Sequence, residues 1–172
     1  AREAALKAHP LLGLFAMPGY PKSCVVGYAT ALDTAAINRA IHSELAAQVL
    51  PSDLNLAWGA SAEKGLFELY ALRRTDGKAA LAGEVIATAK DEYDKNHRPV
   101  VSMTMTPDGA REWAAITKRN IERPVAIVLD GMVYSAPNIK NEITGGVSQI
   151  SGNFTSQQTQ DLANVLKSGK MP

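Results

Sequence analysis

Hydrophobic residues recur at two different spacings in the first part of the chain. Residues 24–29 form a short apolar run with β-branched side chains, which predicts a strand. The segment that follows has an apolar residue at every fourth position, which predicts a single helix with one apolar stripe. Asp33 or Thr34 is expected to cap this helix, which is expected to end near Leu50. The stripe consists of Ile37, Ile41, Leu45 and Val49.

The segments around this helix are predicted to be strands and loops. Residues 54–58 and 66–72 are predicted strands, and the connection 59–65 is too long for a tight hairpin turn. Three prolines and two glycines in residues 1–23 predict a short helical lead followed by irregular structure. The Asp-Gly-Lys sequence at 76–78 predicts a turn and a seam between two parts of the chain.

The next region changes from an ambiguous pattern to a clear one. Residues 85–93 fit either a helix or a strand, whereas residues 100–105 alternate between apolar and polar side chains. This alternation predicts a half-buried strand, and Thr106 followed by Pro107 predicts the start of a helix. The inner face of the strand is expected to carry Val101, Met103 and Met105. The helix is expected to bury Ala110, Trp113, Ala114 and Thr117.

The most specific local pattern is an Asp-Gly pair between two β-rich runs. Residues 125–129 and 132–136 flank Asp130 and Gly131. Because glycine accepts positive φ freely, the pair predicts a two-residue hairpin turn of type I′.

The C-terminal residues predict a turn, a strand and a helix. The glycines at 145–146 predict a turn before a short strand near Ile150. Thr155 and Gln158 fit a capping box, and Gly169 lies where a helix of this length would end. The whole pattern predicts an α+β fold in which mostly antiparallel sheet packs with about three to four helices, and it leaves open a division into two subdomains.

Composition narrows the classes of function. A net charge of +1 and an aromatic content of 6% argue against a nucleic-acid-binding protein. Cys24 is the one cysteine, so neither an internal disulfide nor a thiolate zinc site is expected, and a small buried hydrophobe is favoured over a nucleophile. No apolar run is long enough to span a bilayer, and no signal peptide is recognisable, so we expect a soluble piece of a larger protein.

Two short motifs hint at a serine acyl-transfer enzyme. Ser61 and Lys64 match S-x-x-K, and residues 167–169 match K-[ST]-G. The second motif is predicted to close a helix instead of lying on a strand, and no S-D-N accompanies it, so an envelope serine hydrolase is a remote alternative. The three histidines lack metal-ligand spacing, and His42 is expected to be solvated or to cap a helix. The residues alone therefore predict no catalytic, cofactor-binding or metal-binding site.

A longer set of characteristic residues runs in order through residues 81–172. The set comprises Leu81, Gly83, Ala89, Val101, Ser102, Gly109, Ala110, Ala126–Gly131, Val133, Ser135–Pro137, Ile139, Ile143, Gly145, Gly146, Gln149, Ile150, Gly152, Phe154, Thr155, Asp161–Ala163, Leu166, Ser168, Gly169 and Pro172. Together these residues resemble the first large periplasmic domain of the SecD/SecDF family, the membrane component of the bacterial Sec export machinery. The family commonly has glycine at the positions of His97 and Glu122. Residues 1–80 match less recognisably and are interpreted as the variable N-terminal α/β part of the head, of the type found in SecDF of the Bacteroidetes, and residues 81–172 as its signature α+β part.

The resemblance implies a non-enzymatic function in protein export. In the family, this domain projects from the outer, periplasmic face of the bacterial cytoplasmic membrane, binds unfolded preprotein and helps to pull it outward with the energy of the proton gradient. The implied partners are unfolded preprotein and other Sec translocon components, with no cofactor and no nucleic acid. The family's proton-carrying residues lie in transmembrane helices, so this chain, interpreted as the head, is not expected to carry protons. The main alternative is a structural spacer or docking domain that never contacts the substrate.

Six residues of the matching region are expected to be structural. They are Asp130, Gly131, Pro137, Gly145, Gly146 and Gly152. The three later glycines are expected to supply positive φ or to form a mobile hinge. Core packing is favoured over an adaptable peptide-binding surface for Met17, Met103, Met105 and Met132. A free sheet edge is a second way to accept a polypeptide, and the sequence does not identify which edge, or which residues, would contact preprotein.

Overall fold

The structure, a computed structural model, describes Ala16 and residues 24–74 and 80–168. Within these residues it has four α-helices and eight strands in three sheets, which confirms the predicted α+β class. The chain divides into two compact units. The first consists of Ala1–Lys78 and Asp130–Tyr134, and the second of Ala79–Leu129 and Ser135–Pro172.

The first unit contains a three-stranded antiparallel sheet. Its strands are β1 (Val25–Thr30), β2 (Leu54–Trp58) and β3 (Leu66–Arg73), in the spatial order β1-β3-β2. Strand β3 pairs with both neighbours, and its register with β1 shifts once, between Val25 and Gly27. The three strands predicted for this part of the chain are therefore confirmed.

Two helices follow β1 where the hydrophobic pattern predicted one. Helix α1 spans Ala31–Ile41 and helix α2 spans Glu44–Val49. The prediction of one helix is wrong because Ser43 has an extended backbone. The Ser43 side-chain oxygen accepts a hydrogen bond from Ala46 N at 3.2 Å, so Ser43 caps a new helix.

The start of α1 also differs from the prediction. Thr30 is the N-cap, and Asp33 and Thr34 lie inside the helix. Thr30 Oγ1 donates a hydrogen bond to the Asp33 carboxylate at 2.7 Å, which holds this acidic group near the positive end of the helix dipole. At the other end, His42 is exposed and forms the C-cap, with its Nδ1 2.9 Å from the Asn38 carbonyl oxygen, in agreement with the expectation for this histidine.

The core of the first unit forms between α1 and the sheet. Ile37 is fully buried against Ala29 and Leu69. Because the regular helix ends before Ser43, the four-residue spacing does not keep the later apolar residues on this buried face. The partly buried residues packed around the core are Ile41, Leu56 and Trp58.

The second unit contains another three-stranded antiparallel sheet. Its strands are β4 (Ile86–Tyr93), β5 (Pro99–Met105) and β8 (Val147–Ser151), with β5 in the centre. A short 3-10 turn at Gly83–Val85 precedes β4, so the ambiguous segment 85–93 is mostly strand.

The helices of the second unit begin at the predicted caps. Helix α3 spans Pro107–Arg119, and the side chain of its N-cap, Thr106, accepts a backbone hydrogen bond at 3.2 Å. Helix α4 spans Ser156–Ser168. Thr155 N donates to Gln158 Oε1 at 2.8 Å, and Gln158 N donates to Thr155 Oγ1 at 3.2 Å, which is the reciprocal pattern of a capping box.

The core of the second unit draws on β5, β8 and both helices. On α3, Trp113 and Thr117 are buried as predicted, whereas Ala110 and Ala114 are only half-buried and Ile116 is buried instead. Thr117 lies inside because its hydroxyl donates to the Trp113 carbonyl at 2.8 Å, which satisfies the polar group. The other buried side chains include Val101, Met103, Met105, Ile150, Leu162, Ala163 and Leu166.

Strands β6 (Ile127–Leu129) and β7 (Met132–Ser135) form a separate two-stranded hairpin. Asp130 has a φ of +50° and Gly131 a φ of +78°. Positive φ at both central residues is what a type I′ turn requires, so the predicted turn is confirmed.

Some predictions fall on residues outside the described part of the chain. These are the helical lead in residues 1–23, apart from Ala16, the turn at 76–78, and the position of Gly169 after α4. Among the residues that are described, no helix is both long and apolar enough to cross a membrane.

Candidate functional site

The tip of the β6–β7 hairpin holds two of the six signature residues. Asp130 and Gly131 are exposed, and a Cβ atom on Gly131 would meet no atom within 4 Å. Val133, just beyond the turn, is buried and pairs with Gly59, and its carbonyl accepts a hydrogen bond from Ala60 N at 2.8 Å. Because Val133 contacts Gly59 and Ala60, it belongs to the first unit.

Pro137 lies in an extended stretch that runs beside residues 121–125. Its carbonyl accepts a hydrogen bond from Val125 N at 3.1 Å, and nearby Ile139 N donates to the Arg123 carbonyl at 3.0 Å. Proline has no N–H group, so at this position it contributes a backbone acceptor alone.

The three later glycines differ in backbone conformation. Gly146 has a φ of +64°, and a Cβ atom there would lie 2.7 Å from the Ala110 Cβ. Gly145 and Gly152 have no positive φ, so the expectation that all three supply one is wrong for these two. At Gly152 the constraint is space, because a Cβ atom would lie 2.9 Å from the Phe154 ring.

The residues that hinted at a serine enzyme lie on a loop and at a helix end. Ser61 and Lys64 are exposed on the connection between β2 and β3. Lys167 and Ser168 lie in the last turn of α4, where Ser168 Oγ donates to the Val165 carbonyl at 2.8 Å. The Lys-Ser part of the K-[ST]-G motif thus lies at the end of a helix, as predicted, and not on the strand that such enzymes use. Across residues 24–74 and 80–168, no group of three or more His, Cys, Asp or Glu side chains is arranged to hold a metal.

Among the residues that the structure describes, three titratable groups have shifted pKa values with local causes. Burial, together with a hydrogen bond to the Glu68 carboxylate, raises the pKa of Tyr70. Burial also raises the pKa of the Cys24 thiol. The backbone N–H and guanidinium of Arg98 hold the pKa of the Asp94 carboxyl below its ordinary value. A phenol and a thiol that stay protonated are poor nucleophiles, so these shifts do not favour covalent catalysis.

The methionines divide between the core and the surface. Met103 and Met105 are buried on β5, which confirms the preferred interpretation of core packing for these two. Met132 is partly exposed beside the hairpin turn, and Met17 lies outside the described residues.

Large apolar side chains are exposed on the helices of the first unit. Leu32, at the start of α1, is 92% exposed, and Leu45 and Val49, on α2, are 70% and 71% exposed. Leu45 and Val49 are four residues apart and share one side of the helix, which we call the apolar face of α2. The sequence pattern predicted that these two residues continue one apolar stripe with Ile37 on a single helix, and that prediction is wrong. The sequence feature that would have indicated two helices instead of one is Ser43, which caps the second helix.

Comparison with protein families gives a match over the whole of the second unit and part of the first. The family model described as "SecDF, P1 head subdomain" matches residues 61–172, which is more than half of the chain.

Two curated relatives show how far the similarity extends. SecD of Rhodothermus marinus is 39% identical over 168 residues, which cover 95% of this chain and 26% of that protein. SecDF of Thermus thermophilus is 43% identical over 96 residues, which cover 56% of this chain and 13% of that protein. The chain thus spans 26% or less of these relatives, and the similarity to the first of them extends over most of residues 1–80.

Solved structures share the fold. A structure described as a membrane component SecDF that enhances protein export has a TM-score of 0.53 and 31% identity, covering 100% of this chain and 71% of that one. A crystal structure of SecDF in a super-membrane-facing form has a TM-score of 0.51 and 34% identity, covering 81% of this chain and 17% of that one.

Proposed function

Since this chain belongs to the SecD/SecDF family of protein translocase subunits and matches its P1 head subdomain, we propose that it binds unfolded preprotein during export. The observation that carries this proposal is the apolar face of α2, where Leu45 and Val49 are 70% and 71% exposed. Exposed apolar side chains that lie together on one face favour a surface that contacts another chain. The same proposal places the domain at the periplasmic face of the bacterial cytoplasmic membrane, with other Sec components as further partners.

The proposed binding is weak and tolerant of sequence. Burying one Leu or Val side chain contributes about 1.5–3 kcal/mol, and association costs offset much of that gain. A surface with two such anchors therefore captures apolar segments of many chains and releases them again. Repeated capture and release fits a domain that handles a moving substrate better than one that stores it.

We propose that this chain acts without catalysis. The proposal is supported by exposed Ser61 and Lys64 on a loop and by the raised pKa of the half-buried Cys24. The proton gradient that drives export would act on the membrane-embedded part of the whole protein. The head would contribute contact with the substrate.

The test is a titration of the chain with a secretory protein in two states. Reduced and carboxymethylated ribonuclease A serves as the unfolded state, and native ribonuclease A as the folded control. We expect saturable binding, measured by fluorescence anisotropy, to the unfolded form alone. Absence of binding at high concentration would contradict capture by this chain and would favour the spacer or docking function.

A further inference from the structure

The two three-stranded sheets have four edge strands, and these edges differ in how they are protected. In the first unit, β1 pairs with Ala16 through two hydrogen bonds of 2.9 Å at Tyr28. Beside β2, Val133 pairs with Gly59, the residue directly after the strand, so that end of the edge is covered. In the second unit, β4 and β8 are the outer strands. Neither has a strand partner on its outer side in the described part of the chain.

Strand β4 has the usual defences of an edge strand. It carries the consecutive charged residues Lys90, Asp91 and Glu92, all exposed. Its register with β5 shifts between Ile86 and Thr88, which marks a bulge or irregularity. Charged side chains and bulges both hinder the addition of another strand, so β4 is a poor template.

Strand β8 lacks these defences. Its sequence is Val-Ser-Gln-Ile-Ser, with no charged residue and no proline, and its pairing with β5 is regular over Val147–Ser151. Val147 is 61% exposed, and a Cβ atom on nearby Gly145 would meet nothing within 4 Å. A flat, uncharged edge with small residues beside it is accessible to another backbone.

The backbone groups on this edge are fixed by the register of the sheet. Met105 N donates to the Gly146 carbonyl at 2.8 Å, and Ser148 and Ile150 lie opposite the next alternate residues of β5. In an antiparallel ladder, alternate residues bond to one neighbour and the residues between them face the other way. Three N–H and three C=O groups therefore face outward, those of Val147, Gln149 and Ser151.

We propose that β8 accepts an extended segment of unfolded polypeptide as a fourth strand of this sheet. The alternating partial charges of the outward N–H and C=O groups are complementary to an extended backbone and to little else. Recognition through the backbone is independent of side-chain sequence, as a substrate class with many sequences requires. This inference rests on the proposed function and adds a backbone contact to the side-chain contact at α2.

The test compares proline substitutions on the two edges of this sheet. Gln149→Pro removes one outward N–H from β8, and Asp91→Pro removes one outward N–H from β4. In both strands the ladder to β5 keeps its hydrogen bonds. We expect Gln149→Pro to weaken binding of carboxymethylated ribonuclease A about five- to tenfold, the effect of one hydrogen bond, and Asp91→Pro to leave it unchanged. Gln149→Ala keeps the N–H and should bind like the parent chain.

Amide hydrogen exchange of the parent chain provides a second measurement that does not depend on the folding of a variant. The amides of Val147, Gln149 and Ser151 should exchange more slowly when carboxymethylated ribonuclease A is bound, whereas that of Asp91 should not. Unchanged exchange at β8, or equal loss of binding in both proline variants, would overturn the edge proposal and leave the proposed function standing.

Two other results are distinguishable from these. If the parent chain does not bind the unfolded polypeptide at all, the proposed function fails, and the edge proposal fails with it. If sedimentation equilibrium shows a dimer that Gln149→Pro dissociates, and binding of the polypeptide is unaffected, the occupant of β8 is a second copy of the chain and the proposal is overturned.

Discussion

At the scale of single residues, the sequence located the turns well but did not fix the conformation of each residue in them. Asp130 and Gly131 have the positive φ that their dipeptide predicts. His97 and Glu122 also have positive φ, at +58° and +64°, and these are the positions where the family resemblance implies glycine. The structure thus keeps a left-handed backbone at both sites without the residue that favours it.

Alanine substitutions at two exposed glycines should separate conformational cost from steric cost. At both Gly131 and Gly145 a Cβ atom would meet nothing within 4 Å, but only Gly131 has a positive φ. We expect Gly131→Ala to lower the free energy of unfolding by about 1–2 kcal/mol and Gly145→Ala to change it little. Urea denaturation measures both values, and equal effects would contradict the assignment.

Glycine should be better than the native residue at the two left-handed positions. We expect His97→Gly and Glu122→Gly each to raise the free energy of unfolding by about 0.5–1 kcal/mol, because relief of left-handed strain exceeds the entropic cost of glycine. Lys95→Gly is the matched control in an exposed turn position without positive φ, and it should lower the melting temperature or leave it unchanged. A loss of stability in all three variants would show that the strain is absent.

Asp94 should make stability depend on acid pH. Its pKa is lowered by the Arg98 backbone N–H and guanidinium, so its contribution is present above the ordinary aspartate pKa of about 4 and is lost as pH falls through the lower folded value. Asp94→Asn removes this contribution. Thermal unfolding between pH 3 and 7 should show the variant less stable at pH 7, with the difference shrinking toward pH 3; a constant difference would be inconsistent with this origin.

At the scale of elements, local signals predicted those structures that local interactions determine. The capping residues Thr106 and Thr155 fixed the starts of α3 and α4, because a side-chain cap is a contact within four residues. The division into α1 and α2 was missed because the apolar spacing continues past Ser43. The order of strands in each sheet had no signal at all, since pairing of β1 with β3 or of β5 with β8 depends on contacts between distant residues.

The apolar face of α2 should be needed for binding and not for folding. We expect the double variant Leu45→Gln with Val49→Gln to weaken binding of carboxymethylated ribonuclease A about tenfold or more, since two apolar anchors are lost, with little change in melting temperature. Ala47→Gln, on an exposed position of the same helix, is the control and should bind normally. Loss of binding in the control alone, or a large loss of stability in the double variant, would contradict this function for the surface.

At the scale of the whole molecule, the first unit is built from two segments that are separated in the chain. Asp130–Tyr134 belong to the first unit although the residues on both sides of them belong to the second. The sequence predicted the hairpin that contains Asp130–Tyr134. It did not predict that these residues join the first unit, because their position depends on the bridge between the distant residues Gly59 and Val133. Leu45 and Val49, which we propose contact preprotein, were not identified from the sequence either, because the helix break at Ser43 was missed.

Removing methyl groups from Val133 should therefore loosen the first unit. We expect Val133→Ala to lower stability by about 1.5 kcal/mol, the value of two buried methyl-sized groups, and to speed amide exchange in β2 and β3 more than in β5. Val128→Ala, on the exposed side of the same hairpin, is the matched control. Faster exchange confined to β5 would contradict the assignment of Val133 to the first unit.

The bridge between Gly59 and Val133 also determines when the first unit can finish folding. A ribosome or a membrane channel delivers a chain from its N-terminus, so residues 24–74 arrive well before the five residues that complete their unit. Until the hairpin has emerged, Gly59 lacks its bridge to Val133 and Ala60 N lacks its acceptor. During synthesis, the first unit therefore remains incomplete until Asp130–Tyr134 are available to join it.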